Sequence, residues 1–256
     1  MKTEVQNNML DLESNLNLNG TISEIVRSDY RTADVFKMHG INYCCSGSIT
    51  LSEACANKEL DFETMKKALI RATRNIQLSN SLQFNEWNID FLIDYIVNVH
   101  HAYLKSTLPV LETALLLFVE SHQKKYTEVS GVLRTFHELS EVLEVHTRQE
   151  EEVIFPYIKQ LESIFRKKES YGNIFVRTLR KPLGNMEKDN IIIGELLQEM
   201  QAATSNFKPP ANACTNHIVI FRKLREFRDD LVQHKHLENN ILYPRVLEME
   251  LQMLQL

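Results

Sequence analysis

Four long stretches of this sequence carry apolar residues at intervals of three and four positions, the spacing that places side chains on one face of an α-helix. The stretches span roughly 89–121, 127–162, 185–206 and 212–252. A Pro/Gly break at KPLGN precedes the third stretch, and PPAN opens the fourth. The first stretch shows the pattern most fully, at Phe91, Ile93, Ile96, Val97, Leu104, Leu108 and Leu111. Long amphipathic helices joined by short connections predict an all-α fold built on an antiparallel four-helix bundle.

The composition supports long helices and argues against several kinds of partner. The chain has 256 residues, of which 43% are hydrophobic, and only 7 Gly and 6 Pro, so residues that break helices are scarce. The net charge of −5 comes from interspersed signs, and no basic stripe indicates nucleic acid or a membrane surface as a partner. No apolar run near the N-terminus is typical of a signal peptide, and ALLLFV at 114–119 is too short to cross a bilayer. We therefore expect a cytoplasmic protein without a membrane segment.

The part of the chain before the bundle is expected to form a small helical domain. TISE at 21–24 and TLSE at 50–53 are capping boxes, in which Thr caps a helix and Glu reaches back to the cap backbone. The first box predicts a helix that stops near Gly40, and the second opens a short helix through Cys55. A third helix, across FETMKKALIRATRNI, is capped by Asp61.

These signals divide the chain into four parts. Residues 1–19 are polar and Asn-rich and are expected to be a mobile tail. The helical domain covers 20–77, and the polar stretch 78–88 is predicted to be a linker. Residues 89–256 are assigned to the four-helix bundle.

One pattern occurs twice in the predicted bundle, as HTRQEEEVIFP from His146 and HKHLENNILYP from His234. Each copy has Glu four residues after His, which places both side chains on the same helical face. Two such helices facing each other would direct two imidazoles and two carboxylates into one space, a combination that suits iron and related metals. A third pair with this spacing, His137 and Glu141, lacks the aliphatic–aromatic–proline ending. The His-x-x-x-Glu spacing alone can therefore also belong to an ordinary polar helix face.

The order of the ligand residues distinguishes between families of metal-binding bundles. Ferritin-like sites use Glu-x-x-His on two helices, and no His in this sequence has Glu three residues before it. The His-then-Glu order resembles hemerythrin-like bundles instead.

Four segments together resemble the repair-of-iron-centres family, bacterial di-iron proteins linked to damaged iron–sulfur clusters. INYCCSGSITLSEAC is similar to that family's N-terminal domain with its adjacent cysteine pair, and PPANAC is similar to the segment before its last helix. The two His-x-x-x-Glu segments resemble its ligand motifs. The resemblance covers roughly residues 20–250 and implies a hemerythrin-like bundle with two irons bridged by oxo or hydroxo and by carboxylates.

The resemblance implies a ligand set. Glu150 and Glu238 would be bridging carboxylates, and His146 and His234 terminal ligands. A further His should come from the first bundle helix, at His101 or, as the alternative, at His100. Glu151 and Glu152 are expected to face water or groups around the ligands, and Tyr157 and Tyr243 are candidate hydrogen-bond donors to those groups.

One position departs from the family pattern. In the segment MEKDNIIIGELL, Asn190 stands where the family has a His, and an amide oxygen binds iron less well than imidazole does. In the hemerythrin arrangement, the His residues of the first two helices serve one iron and those of the last two serve the other. We therefore expect one firm iron and one weaker or absent iron.

The resemblance also assigns roles to the cysteine pair and to the whole protein. Cys44 and Cys45 would take part in redox chemistry or iron transfer. Without the resemblance, small buried side chains would be the better explanation of the pair. The implied function is supply of iron to iron–sulfur proteins whose clusters were damaged by nitrosative or oxidative stress. Binding or reduction of nitric oxide, and assembly as a homodimer, are further implications. The alternatives are a hemerythrin-like binder or sensor of O2 or nitric oxide, and a divergent relative with one metal or none.

Overall fold

The structure is a computed structural model that describes residues 16–44, 47–73, 82–122, 124–126, 129–179 and 181–255. Within these ranges the chain is helical, apart from connecting segments and one isolated bridge between Thr21 and Thr50. The all-α prediction is therefore confirmed. The chain divides into two compact units, one made of Met1–Asn80 with Ala211–Val219, the other of Ser81–Pro210 with Ile220–Leu256.

The described residues of the first unit form four short helices, α1 (Ile22–Ser28), α2 (Thr32–Met38), α3 (Leu51–Asn57) and α4 (Phe62–Ala72). Both predicted capping boxes are present, at Thr21 with Glu24 and at Thr50 with Glu53. The side chain of Asp61 accepts a hydrogen bond from the backbone N–H of Thr64 at 2.7 Å and so caps α4 as predicted. Buried Ile22, Phe36, Leu51 and Leu69 are among the residues that form its core.

The prediction of a single helix from the first capping box to Gly40 is wrong. The backbone is extended at Asp29, and this break separates α1 from α2. The Asp29 side chain forms a bidentate ion pair with Arg31 and also accepts the backbone N–H of Arg31 at 3.0 Å. Thr32 donates its hydroxyl to the carbonyl of Asp29 at 2.6 Å. Such local side-chain bonds compete with the helical ladder, and periodicity alone did not indicate them.

A segment distant in sequence completes the first unit. Ser23 and Thr215 lie 2.7 Å apart through their hydroxyl oxygens, and Arg27 donates to the backbone carbonyl of Ala213. The Tyr43 hydroxyl donates to Asn216 Oδ1 at 3.1 Å, and Val219 is buried in the core of this unit. The sequence-based assignment placed these residues with the bundle, whereas the structure joins 211–219 to the N-terminal helices.

The second unit contains α5 (Ile89–Tyr95), α6 (Ala102–His122), α7 (Val129–Gln149), α8 (Phe155–Lys167), α9 (Gly172–Leu179), α10 (Lys181–Ala203), α11 (Thr215–Leu237, continuing from the first unit) and α12 (Tyr243–Leu254). Where the structure describes this unit, three π-helical turns join consecutive helices: Ile96–His101 between α5 and α6, Glu150–Ile154 between α7 and α8, and Glu238–Leu242 between α11 and α12. The four predicted long helices therefore correspond to α5–α6, α7–α8, α10 and α11–α12.

Two local expectations about this unit differ from the structure. KPLGN does not precede the third long helix but forms its first turn, where proline is tolerated because its missing N–H would have no partner in the helix. The stretch predicted as a linker contains the short 3₁₀ helix Phe84–Glu86, and Trp87 packs on Tyr95 with ring centroids 5.3 Å apart. The 78–81 part of that stretch lies outside the described residues.

The continuous helix Ile89–His122 is long and apolar enough to cross a membrane by length and composition, the only such helix in the described ranges. This test is weak evidence, because helices of water-soluble bundles also pass it. The helix carries buried Leu104, Leu108, Leu111 and Leu115 on one side, and it contributes His100 and His101 to the interior of the unit.

Candidate metal centre

Four buried side chains converge in the second unit: His101, Glu150, His234 and Glu238. Each offers one ligand atom, and these four atoms lie within 4.8 Å of one another. His234 Nε2 lies 2.7 Å from Glu238 Oε1 and 3.1 Å from His101 Nε2. His101 Nε2 lies 3.4 Å from Glu150 Oε2. We refer to these four residues as the four-donor cluster.

His146 adjoins the cluster through the carboxylate of Glu150. Its Nε2 lies 3.2 Å from Glu150 Oε1, and the side chain is 2% exposed. Its Nδ1 faces Asp189 Oδ2 at 3.8 Å. The structure thus brings together all five residues predicted to bind metal, with His146 at the edge of the four donors.

The π-helical turns determine how the ligand residues are presented. The turns start at Glu150 and Glu238, and in each the backbone N–H five residues later, of Phe155 or Tyr243, donates to that Glu's carbonyl. A proline follows directly, at Pro156 or Pro244, within the first two positions of the next helix. Proline has no N–H and its ring clashes with the carbonyl four residues back, which an additional residue in the turn relieves. The repeated motif therefore encodes a local widening of the helix as well as two ligands.

The electrostatics of the cluster reflect strong pairing of opposite charges. Burial alone would lower the pKa of His101, but the adjacent carboxylates of Glu150 and Glu238 outweigh burial and raise it to about 10. Burial opposes ionisation of Glu150, yet the adjacent imidazoles of His101 and His146 and nearby positive charge lower its pKa overall. Both carboxylates are 0% exposed. Buried carboxylates of this kind are retained where a cation or cationic partners compensate them.

Unsatisfied polar atoms concentrate around this centre. Buried polar atoms nearly always have a hydrogen-bond partner, and groups of exceptions call for an explanation such as a bound ion. Glu150 Oε2 and Glu238 Oε2 accept no hydrogen bond within the described part of the chain. Other such atoms nearby are His100 Nε2, His146 Nδ1, Asn190 Oδ1, Asp230 Oδ2 and His234 Nδ1. The residues present therefore fit a metal ion, since carboxylate oxygen and imidazole nitrogen are suitable ligands for iron.

Further residues hold the donors in place. Glu151 accepts a hydrogen bond from His101 Nδ1 at 2.8 Å and forms an ion pair with Lys105 Nζ at 2.8 Å. The hydroxyl of Tyr243 donates to Glu150 Oε1 at 2.6 Å, in agreement with the sequence-based hypothesis. Tyr157 instead donates to Glu250, a buried carboxylate outside the cluster. Partners of this kind fix ring and carboxylate orientation in metal sites.

Asn190 lies near the centre but is held by other partners. It is 8% exposed, and its amide Nδ2 donates to Asn239 Oδ1 at 3.0 Å. Lys235 donates its ammonium group to the backbone carbonyl of Asn190, and burial lowers the pKa of Lys235 although Glu238 opposes the shift. The position therefore presents an amide and a neighbouring cation, neither of which is a strong ligand for iron.

The two histidines of the π-helical turn Ile96–His101 are both buried, and the structure gives them different partners. His101 belongs to the four-donor cluster, while Nδ1 of His100 lies 3.0 Å from Asp230 Oδ1. Sequence reasoning missed Asp230, although it lies four residues before His234 and therefore on the same helical face. Cys44 is half-buried in the loop of the first unit, and Cys45 lies outside the described residues.

These features define the second unit as a helical domain that holds a buried His/Glu centre for a cation. Two family models match the chain, and the one that covers the second unit agrees with this interpretation. Residues 92–246 match the hemerythrin HHE cation binding domain, and residues 18–73 match a domain whose description is "domain of unknown function (DUF542)".

The chain belongs to the family of bacterial iron–sulfur cluster repair proteins. It is 31% identical over 232 residues to the iron-sulfur cluster repair protein YtfE of Escherichia coli O157:H7, covering 90% of this chain and 97% of the relative. The protein of the same name from Enterobacter sp. (strain 638) matches equally, and that of Citrobacter koseri is 30% identical over the same length. The resemblance inferred from the sequence motifs is thereby confirmed.

Proposed function

We propose that this protein binds non-haem iron at the four-donor cluster and supplies it for the repair of damaged iron–sulfur clusters. The observation that carries the proposal is the convergence of two imidazoles and two unexposed carboxylates from three helical segments within 4.8 Å. The names of the relatives and the match to a cation-binding domain support the same conclusion. When bound, iron at such a centre supplies a labile, redox-active metal that can be passed on or can bind a small ligand such as nitric oxide or O2.

Two irons are proposed, with Glu150 and Glu238 bridging them. A carboxylate can bind two metals through its two oxygens. In both residues Oε1 lies within 3.2 Å of an imidazole nitrogen, and Oε2 accepts no hydrogen bond from a described residue, although Glu150 Oε2 lies 3.4 Å from His101 Nε2. His146 extends the donor set beyond the four-donor cluster, on the side of Glu150. Such an extended set of donors favours two ions over one.

The two ions are proposed to be unequal. His101 and His146 would serve one iron, and His234 the other, where the amide of Asn190 takes the place of a family imidazole. Ligation by carboxylates and an amide is weaker for iron than ligation by imidazole or thiolate. A weakly held second ion suits a protein that donates iron.

The clients are proposed to be cytoplasmic iron–sulfur proteins, and Cys44 and Cys45 are proposed to assist redox chemistry or iron transfer. A thiolate is a strong ligand for iron, and Cys44 lies in a partly accessible loop. Assembly as a homodimer would bring a second copy of this loop to the client.

Transfer of iron to an acceptor tests this function. The full chain is loaded anaerobically with ferrous iron labelled as ⁵⁷Fe, desalted, and mixed with an apo iron–sulfur protein, sulfide and a thiol reductant. We expect ⁵⁷Fe to appear in the acceptor's cluster, detected by Mössbauer spectroscopy of the separated acceptor. Retention of all label on the loaded chain, while free ferrous iron rebuilds the acceptor, would contradict the role of donor.

A Glu150→Gln, Glu238→Gln double variant provides the matched control for transfer. The substitutions keep side-chain volume and remove both carboxylates, so iron loading and transfer should be lost together. A variant that still delivers iron would show that the transferred metal is not held at this centre.

A further inference from the structure

His100 and Asp230 form a buried pair beside the four-donor cluster. His100 is 1% exposed, and its Nδ1 lies 3.0 Å from Asp230 Oδ1. Its second ring nitrogen, Nε2, is buried and makes no hydrogen bond to any described residue. Histidines that bind metal through one nitrogen usually donate the N–H of the other to a carboxylate, a backbone carbonyl or water. His100 therefore has the surroundings of a ligand although it stands outside the four donors.

The π-helical turn Ile96–His101 brings the rings of two consecutive histidines against the ring of His234. Successive residues of an α-helix point about 100° apart, and a π-helical turn contains more residues, so the angle between neighbours is smaller. The ring of His100 lies parallel to that of His234, with centroids 5.5 Å apart and planes 4° apart. The ring of His101 meets His234 at 4.8 Å and 64°. Both rings thus border the histidine assigned to the weaker iron.

We propose that Nε2 of His100 is a metal ligand of this protein, supplying to the second iron the imidazole that Asn190 does not provide. This inference rests on the two-iron function proposed above. The ions of two-metal sites lie about 3.5–4 Å apart. A ligand of the second iron can therefore lie outside the four-donor cluster, whose ligand atoms are close enough together to share one ion. Asp230 is the positioning residue that holds the His100 ring.

The competing interpretation is that His100 only packs against His234. The His100 ring also meets Tyr95 edge-on, with centroids 5.5 Å apart, and packing alone would be preserved by another flat ring. His100→Phe separates the two interpretations, because phenylalanine keeps a ring at this position and has no nitrogen to bind a metal. His137→Phe is the matched control, since His137 is exposed and its partner Glu112 lies outside the centre.

The experiment is anaerobic titration of the full apo chain with ferrous iron, followed by calorimetry and by metal analysis after desalting. We expect wild type and the His137 variant to retain about two irons and the His100 variant about one, with the affinity for the second ion at least about tenfold weaker. A His100→Phe, Asn190→His double variant should regain the second ion. Two irons bound by His100→Phe with wild-type affinities would overturn the assignment.

Two further measurements keep the outcomes distinct. If circular dichroism shows that His100→Phe does not reach wild-type helicity, the Asp230→Asn variant tests the assignment instead. It should lower the affinity for the second iron about 10–100-fold. An unchanged affinity would overturn the role of His100. Binding of only one iron by the wild type would reject the two-iron function itself, and this inference with it. If only the role of His100 were wrong, both the wild type and the His100→Phe variant would bind two irons, so the two failures can be told apart.

Discussion

Single residues decide how strongly each donor is held, and Glu151 shows this most clearly. It lies outside the four-donor cluster but accepts the N–H of His101 Nδ1, which leaves Nε2 of that ring directed at the other donors. Burial opposes ionisation of Glu151, but hydrogen bonds from Lys105 and His101 lower its pKa. A carboxylate in this position makes the imidazole a better ligand.

Replacement of Glu151 by Gln should weaken iron binding about 10–100-fold without changing the helical content, because the partner of His101 loses its charge. Calorimetric titration with ferrous iron measures the effect. Glu152→Gln is the control, since Glu152 is its exposed neighbour in the same π-helical turn. Equal affinities for both variants would show that Glu151 does not act through His101.

Replacement of Asn190 by His should tighten the weaker iron by about tenfold or more, because imidazole binds iron better than an amide does. The stronger iron should be unaffected, since His101 and His146 remain as they are. Stepwise ferrous titration resolves the two events. A variant whose second affinity stays at the wild-type value would contradict the proposed place of Asn190 beside the second ion.

At the scale of the helical elements, the repeated motif specifies three features at once. The His-x-x-x-Glu spacing selects the ligands, the proline enforces a widened turn, and the aromatic residue before the proline begins the next helix. Tyr243, that aromatic in the second copy, donates to Glu150 in the first copy. The second copy of the motif therefore helps to hold a ligand residue of the first copy.

Pro244→Ala should raise the thermal stability of the metal-free protein and lower its affinity for ferrous iron about tenfold. Alanine restores a backbone N–H, which permits regular α-helical bonds and turns Glu238 away from His234. Pro109→Ala is the control, because Pro109 lies inside α6 and outside the three π-helical turns. Increased stability without loss of affinity would show that the π-helical turn is not needed for binding.

The sequence predicted the helical elements well where periodicity was long and capping was explicit. The long bundle helices and the caps at Thr21, Thr50 and Asp61 followed from local chemistry alone. The break at Asp29 did not, because it depends on an Asp29–Arg31 ion pair that competes with the helix. The π-helical turns were also missed, because an i, i+4 pattern assumes regular α geometry.

At the scale of the whole molecule, the metal centre and the fold of the second unit are linked. The centre places two unexposed carboxylates among imidazoles in the interior, an arrangement that costs desolvation free energy and is compensated when a cation binds. The fold class and the participation of His101, His146 and His234 in one region could be predicted from spacing and family resemblance. The roles of Asp230 and Glu151 could not, because they depend on which atoms meet between helices far apart in sequence.

Iron should therefore stabilise the folded chain. Ligand at about 100 times its dissociation constant contributes about 2.7 kcal/mol, which corresponds to a rise in Tm of roughly 5–10 °C for a unit of this size. Differential scanning calorimetry with ferrous iron and with a chelator measures the shift. The Glu150→Gln, Glu238→Gln variant should show no dependence on iron, and a dependence equal to wild type would place the stabilising metal elsewhere.

The most direct test of the central claim is the iron content of the chain purified anaerobically, compared with that of the Glu150→Gln, Glu238→Gln variant. Elemental analysis together with the near-ultraviolet absorption after mild oxidation reports both the amount of iron and whether two ferric ions are coupled. We predict close to two irons per chain with strong near-ultraviolet absorption in the wild type, and neither in the variant. Iron-free wild-type protein that cannot be loaded, or a variant that retains its iron, would contradict the assignment of this centre.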